Sequence, residues 1–183
     1  MPEPFPKSNS EPQVHRPGFP NPFGYWKNRR EDRFRRERED LKGYLQLATP
    51  IALLAGRLYE DWRDAVSEPV QDGQKAANLS ANYWWQITDR LRKFEEIRPP
   101  GPAHRYHRLF ADALRNASEG AEVVKNGFRF NKFTEISRGI GFLDRYVELM
   151  AEAESELGRL LRKYRLIEED GGDAGGVGGA ALR

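Results

Sequence analysis

The sequence predicts an all-α protein built as an antiparallel, up-down-up-down four-helix bundle with a charged N-terminal helical extension and disordered tails. Four segments between residues 41 and 166 repeat apolar residues at steps of three and four, which is the spacing of one face of an α-helix. The short connections between these segments favour antiparallel neighbours. No stretch alternates apolar and polar residues for long enough to predict a strand.

Composition divides the chain into four predicted regions. Residues 1–26 form an arm rich in proline and aromatic residues, which we expect to be disordered because proline removes amide donors. Residues 27–40 carry seven basic and five acidic side chains. Opposite charges four apart, such as Glu31 and Arg35, predict a solvated helical extension there. Residues 41–166 form the bundle, and residues 167–183 form a flexible, Gly-rich tail.

Two apolar stripes predict the first pair of bundle helices. The first stripe runs through Tyr44, Leu47 or Ala48, Ile51, Leu54 or Ala55, Leu58, Trp62 and Ala65. Pro50 lies within this stripe, so the helix is predicted either to kink there or to start there. The second stripe ends at Pro99 and Pro100 and comprises Ala77, Ala81, Trp84, Ile87, Leu91 and Phe94.

The third and fourth helices are predicted in the same way. The third begins at Pro102 or Ala103, because proline is favoured in a first helical turn, and it buries Tyr106, Phe110, Ala113, Ala117, Ala121 and Val124. The pair Asn126-Gly127 is predicted to stop it, since glycine readily adopts the left-handed conformation. Asn131 is predicted to cap the fourth helix. The fourth stripe comprises Phe133, Ile136, Ile140, Leu143, Val147, Met150, Ala153, Leu157, Leu160 and Tyr164.

Two glycines, Gly139 and Gly141, interrupt the fourth stripe. Glycine within a helical pattern marks either a close approach to a neighbouring helix or a local bend. We favour the close approach.

The composition excludes several classes of function. The 183 residues include no cysteine, which excludes disulfides, Cys-based metal sites and thiol catalysis. A formal net charge of +2 does not indicate a surface that attracts nucleic acid. The N-terminus lacks the apolar segment of a secretory signal, and the longest apolar run is too short to span a bilayer. We therefore expect a soluble, cytoplasmic protein.

The histidines of RPPGPAHRYHRLF are the strongest candidates for chemistry. His104 and His107 are three residues apart, so on a helix both side chains can reach one metal ion. Neither has the Glu-x-x-His pattern of di-iron bundles, and no third group is evident that would orient an imidazole for catalysis. We favour a structural role at the head of the third helix, with His107 packed against Tyr83, Trp84 and Trp85 or bonded to a carbonyl near Pro99. No cofactor is predicted.

Exposed aromatic and apolar residues are the candidates for partner binding. In the arm these are Phe19, Phe23 and Trp26, which either pack back on the bundle or bind a partner. Trp84 and Trp85 cannot both face the core, because neighbours on a helix are about 100° apart. Trp84 belongs to the inward stripe, which leaves Trp85 for the arm or a partner. In the tail the candidate is Leu182, the last apolar residue before Arg183.

The segment from Trp84 to about Leu161 resembles a loosely defined group of uncharacterised bacterial helical domains. In them a Trp-containing helix precedes Pro-Pro, here Pro99-Pro100, and a His that opens an amphipathic hairpin follows seven residues after the second Pro, as His107 does. The resemblance implies a helical hairpin or bundle without an assigned activity. The ending GGVGGAALR also resembles tails that target cargo into encapsulin shells, although those carry Ser-Leu in place of Ala-Leu. We favour a plain terminal tail.

The leading functional hypothesis is a non-enzymatic helical interaction or scaffold protein that binds an unknown protein partner or a second copy of itself. One alternative is a small metal-binding bundle enzyme that uses His104 and His107. The other is a nucleic-acid-associated protein that uses the Arg-rich residues 27–38. The balanced charges of that segment argue against nucleic acid.

Overall fold

A computed structural model describes residues 22–67 and 73–167, with side chains for residues 29–66 and 73–167. Its four helices are α1 (Pro22–Ser67), α2 (Gly73–Glu95), α3 (His104–Arg129) and α4 (Phe133–Lys163), and a short 3-10 helix (Gly101–Ala103) precedes α3. These ranges contain no strand. The predicted all-α class is confirmed.

The chain divides into two compact units, Met1–Arg33 and Phe34–Arg183. The described part of the first unit, residues 22–33, is helical. The second unit contains the rest of α1, all of α2, α3 and α4, and the hydrophobic core. Helix α1 begins at Pro22, inside the range 1–26 that the sequence assigned to the arm. Residues 1–21, 68–72 and 168–183 lie outside the described residues, so the predicted disorder of the two tails remains a prediction.

Helix α1 continues through Pro50, which is therefore not the start of a helix. Pro50 lies on an exposed face, where water can hydrogen-bond the carbonyl that lacks an amide donor. The first stripe allowed Leu47 or Ala48 and Leu54 or Ala55 to face the core, and in each pair the smaller residue is buried. Ala48 and Ala55 are fully buried, whereas Leu47 and Leu54 are exposed.

Helix α3 contacts both α2 and α4 along its length. All six residues of its predicted stripe are buried, which confirms the prediction for this helix. On the α2 side, the rings of Phe94 and Phe110 lie 4.7 Å apart, and the hydroxyls of Thr88 and Ser118 are hydrogen-bonded at 2.7 Å. These contacts define the central layer of the core.

Glycines bring α3 and α4 into direct backbone contact. A Cβ added to Gly139 would lie 2.6 Å from Val124 Cγ2 and 2.9 Å from the carbonyl oxygen of Gly120. The predicted close approach is confirmed at Gly139. At Gly141 an added Cβ would meet nothing within 4 Å, so that glycine makes no close approach.

The predicted stop at Asn126-Gly127 is wrong, because α3 continues to Arg129. Gly127 is buried within the helix, and a Cβ there would lie 2.6 Å from Ile136 Cγ1. The left-handed residue is instead Asn131, with φ of 51°. The amide of Lys132 donates to the Gly127 carbonyl at 2.8 Å, and the amide of Asn131 donates to Phe128, as in a Schellman motif. Asn131 thus ends α3. The prediction that Asn131 caps the fourth helix is wrong, because Lys132 is the N-cap residue of α4 and no side chain makes a capping hydrogen bond there.

The fourth stripe is only partly buried. Leu143, Ala153, Leu160 and Tyr164 are in the core, but Phe133, Ile140 and Val147 are exposed, so their predicted burial is wrong. These three residues are seven apart, and an α-helix of 3.6 residues per turn places them on a face beside the core rather than on it. Tyr146 and Leu149 are buried in their place.

Candidate functional site

An open groove lies between α1 and α4, with α3 at its base. Its volume is about 410 Å³, which is within the range of ligand-binding clefts. The α1 wall contains Thr49, Ala52, Leu53, Gly56, Tyr59, Glu60 and Arg63. The base is formed by Tyr106 and Phe110 of α3, and the α4 wall by Tyr146, Val147, Met150, Ala153, Glu154 and Leu157.

The groove exists because α1 presents small residues to α4. Ala52 and Gly56 are four residues apart and therefore share one face of the helix. A Cβ added to Gly56 would meet nothing within 4 Å, so space remains above this residue. At the α3–α4 contact, by comparison, glycines allow the two helices to touch.

Large apolar side chains border this space without being covered. Leu53 on α1 is 48% exposed and Val147 on α4 is 47% exposed. Their apolar surface remains in water, which is unfavourable by about 25 cal/mol for each Å² that a partner could bury. Such surface next to a concave space is typical of a binding site.

Three tyrosines supply the groove with neutral hydroxyl groups. The rings of Tyr59 and Tyr146 lie 4.9 Å apart and join α1 to α4. Burial, and secondarily the charge of Glu154, raises the pKa of Tyr106 to about 12. Burial is also the main cause that raises the pKa of Tyr59 and of Tyr146. All three hydroxyls are therefore protonated at neutral pH.

Two carboxylates give the groove negative charge. Glu60 lies on the α1 wall and Glu154 on the α4 wall. In the described part of the chain neither is in an ion pair or hydrogen bond. Arg63, the basic residue of the lining, is paired with Asp64 at 3.2 Å. The groove thus combines apolar surface, neutral hydroxyls and two unpaired negative charges.

His107 is held by neighbouring aromatic rings. Its ring stacks on Phe94, with centroids 4.5 Å apart, and its Nδ1 lies 3.2 Å from the hydroxyl oxygen of Tyr44. Burial, reinforced by the neighbouring imidazole of His104, lowers the pKa of His107. The expected packing against residues 83–85 is wrong. Because α2 runs back along α3, its last turn, with Phe94, faces the start of α3, and residue 84 is ten positions or about 15 Å away.

The two histidines do not belong to a metal-binding cluster within the described ranges. No group of three or more His, Cys, Asp or Glu side chains there could hold one ion. His104 is exposed in the first turn of α3. The arrangement supports a structural role for His107.

Trp85 is the interaction candidate from the sequence whose side chain is described. It is 67% exposed, as its place beside Trp84 on the helix predicts. Trp84 is half-buried, and the ammonium group of Lys125 lies 4.0 Å from its ring centroid. Phe19 and Leu182 lie outside the described residues, as do the side chains of Phe23 and Trp26. Their roles remain predictions.

The apolar and charge patterns of the sequence do not mark the groove residues as a site. A signal existed in Leu53, which is two positions, or about 200°, from Ile51 of the core stripe and is therefore an apolar residue on a polar face. Glu154 lies at the edge of the fourth stripe, next to Ala153. The sequence does not show that both residues border the same space.

No protein-family model matches the chain, and no curated protein and no solved structure gives a significant match. The resemblance of residues 84–161 to bacterial helical domains therefore remains a prediction. None of the helices among the described residues has an apolar stretch long enough to cross a membrane.

Proposed function

We propose that this protein is a non-enzymatic interaction or scaffold protein that binds a protein partner in the groove between α1 and α4. The observation that carries the proposal is the uncovered apolar surface of Leu53 and Val147 on the two sides of an open cleft. Burial of such surface is the dominant favourable term in protein association. The expected cytoplasmic location belongs to the same proposal.

We also infer the up-down-up-down order of the four helices. Phe34 stacks on Tyr164 near the end of α4, whereas Tyr59, later in α1, contacts Tyr146, earlier in α4. This order of contacts supports an antiparallel pair. It places the groove between the first and last helices of the bundle, an arrangement that leaves one long side of each helix available to a partner.

The two alternative functions receive no specific support. A metal-binding enzyme would need a third ligand beside His104 and His107, and the nearest partners of His107 are the Phe94 ring and the Tyr44 hydroxyl. No contact of the described residues indicates nucleic-acid binding by residues 27–38.

Affinity capture with the full chain and two matched variants tests the proposed function. Gly56→Trp fills the groove, whereas Gly43→Trp places the same side chain on the same helix, at a position where an added Cβ also meets nothing within 4 Å. A partner of the wild-type chain should be retained by Gly43→Trp and lost with Gly56→Trp. Thermal unfolding of both variants checks that each is folded. Equal capture by all three chains would refute the groove as the binding surface.

A further inference from the structure

We propose that the groove accepts an amphipathic helix of the partner that carries two basic residues seven or eight positions apart, one for Glu60 and one for Glu154. This inference rests on the proposed function and specifies the chemistry of the partner. It follows from the length of the groove, the small residues in its wall and the positions of its two unpaired carboxylates.

The dimensions of the groove match those of a short helix. The lining residues of α1 span positions 49–63 and those of α4 span 146–157, which correspond to about 21 Å and about 17 Å at 1.5 Å per residue. A helix that binds in a groove contacts it through residues at i, i+4 and i+7, a length of about 10 Å. Two to three turns of a partner helix therefore fit along the walls.

The α1 wall permits close approach of a helix. Ala52 and Gly56 lie four apart on one face, and small residues at that spacing reduce the distance at which two helix backbones can pack. The apolar side chains Leu53 and Val147 border this surface on opposite walls. They supply the contacts that apolar residues of a partner helix need.

The two carboxylates determine the charge pattern of the partner. Tyr59 contacts Tyr146, so Glu60, which follows Tyr59, lies near the start of the α4 wall. Glu154 is eight residues further along α4, or about 12 Å. Seven or eight residues of a partner helix cover the same distance. Lys or Arg at that spacing would pair with both carboxylates, and an acidic helix would be repelled.

A displayed peptide library provides the test. The library consists of 21-residue Ala- and Gln-based helices randomised at seven positions on one face. Peptides that bind the full chain are selected, and those that also bind the Gly56→Trp variant are removed. We expect the retained peptides to carry apolar residues between two basic residues seven or eight positions apart. The dissociation constant for such a peptide should rise about threefold for Glu60→Gln or Glu154→Gln, and about tenfold for the double variant. A double variant with Glu96→Gln and Glu119→Gln, two exposed residues that do not line the groove, should bind as the wild type does.

The outcomes separate this inference from the proposed function. Groove-dependent peptides without basic residues, or with unchanged affinity for the Glu60→Gln/Glu154→Gln chain, overturn the inference and leave the proposed function intact. If no peptide depends on the groove, the inference fails, and capture with the Gly56→Trp and Gly43→Trp variants decides the proposed function separately. A concentration-dependent dimer in sedimentation analysis that Gly56→Trp abolishes would identify a second copy as the occupant, and would overturn the basic partner helix.

Discussion

Replacing Gly139 by alanine should destabilise the protein, whereas the same change at Gly141, two residues later in α4, should stabilise it. In an exposed helix, alanine is more favourable than glycine by up to about 1 kcal/mol. At Gly141 the new Cβ meets nothing within 4 Å, so this gain is realised. At Gly139 the Cβ would lie 2.6 Å from Val124 Cγ2 and 2.9 Å from the Gly120 carbonyl oxygen and the Val124 amide nitrogen.

The backbone contacts determine the magnitude. Ordinary contacts of a Cβ are 3.4 Å or longer, and two of the three neighbours of Gly139 are backbone atoms, so α3 and α4 must move apart. Overpacking of this kind costs about 1–3 kcal/mol. After the gain in helix propensity, we expect Gly139→Ala to lower the free energy of unfolding by about 1–2 kcal/mol, and Gly141→Ala to raise it by about 0.5–1 kcal/mol.

Urea unfolding followed by circular dichroism at 222 nm measures both changes. Thermal unfolding should shift in the same directions, by about 2–4 °C for each kcal/mol in a chain of this size. If Gly139→Ala were as stable as Gly141→Ala, helices α3 and α4 would not be in backbone contact at Gly139.

Two further predictions concern the buried imidazole of His107 and the backbone conformation of Arg165. Burial lowers the pKa of His107, so the unfolded chain takes up a proton more readily, and the free energy of unfolding should fall as the pH decreases below about 6.5. Urea unfolding at several pH values measures this dependence. His107→Gln should reduce it, whereas His104→Gln, at an exposed position, should not. An equal effect of both substitutions would contradict the burial of His107 as its cause. Arg165 has a φ of 52°, a conformation that is unfavourable for residues with a Cβ. Arg165→Gly should therefore raise the free energy of unfolding by about 1 kcal/mol, while Arg165→Ala, which keeps the Cβ, serves as the control in which no such gain is expected.

The sequence was sufficient for the buried face of α3, although not for its end, because that face is packed against neighbouring helices. Its contacts with α2 and α4 bury every residue of the predicted stripe, from Tyr106 to Val124. In α4 the same reasoning failed for Val147, because apolar character does not distinguish a core residue from the wall of a groove. The predicted end of α3 at Asn126-Gly127 is wrong for a similar reason. Gly127 serves helix packing, and Asn131 takes the left-handed conformation that was expected of the glycine.

The groove depends on distances between elements that are far apart in sequence. The small size of Ala52 and Gly56 is evident from the sequence, but whether a small residue allows contact or leaves space depends on the residue opposite. At Gly120 the opposite residue is Gly139, and the helices touch. At Gly56 no side chain fills the space. Small residues in a helix therefore occur both at Gly120, where two helices touch, and at Gly56, where space remains.

The packing of α3 against two neighbouring helices also affects which backbone amides exchange slowly with solvent. Amides of a helix that is packed by two neighbours exchange with solvent only when most of the structure unfolds, whereas those of a helix with an uncovered side exchange through smaller openings. Amide protons of α3 between Phe110 and Val124 should thus be the slowest to exchange, and those of α1 near Ala52 and Gly56 should be faster. A partner in the groove should slow exchange in α1 by covering it, and should also slow exchange in α3, because binding to the folded chain raises the free energy of global unfolding.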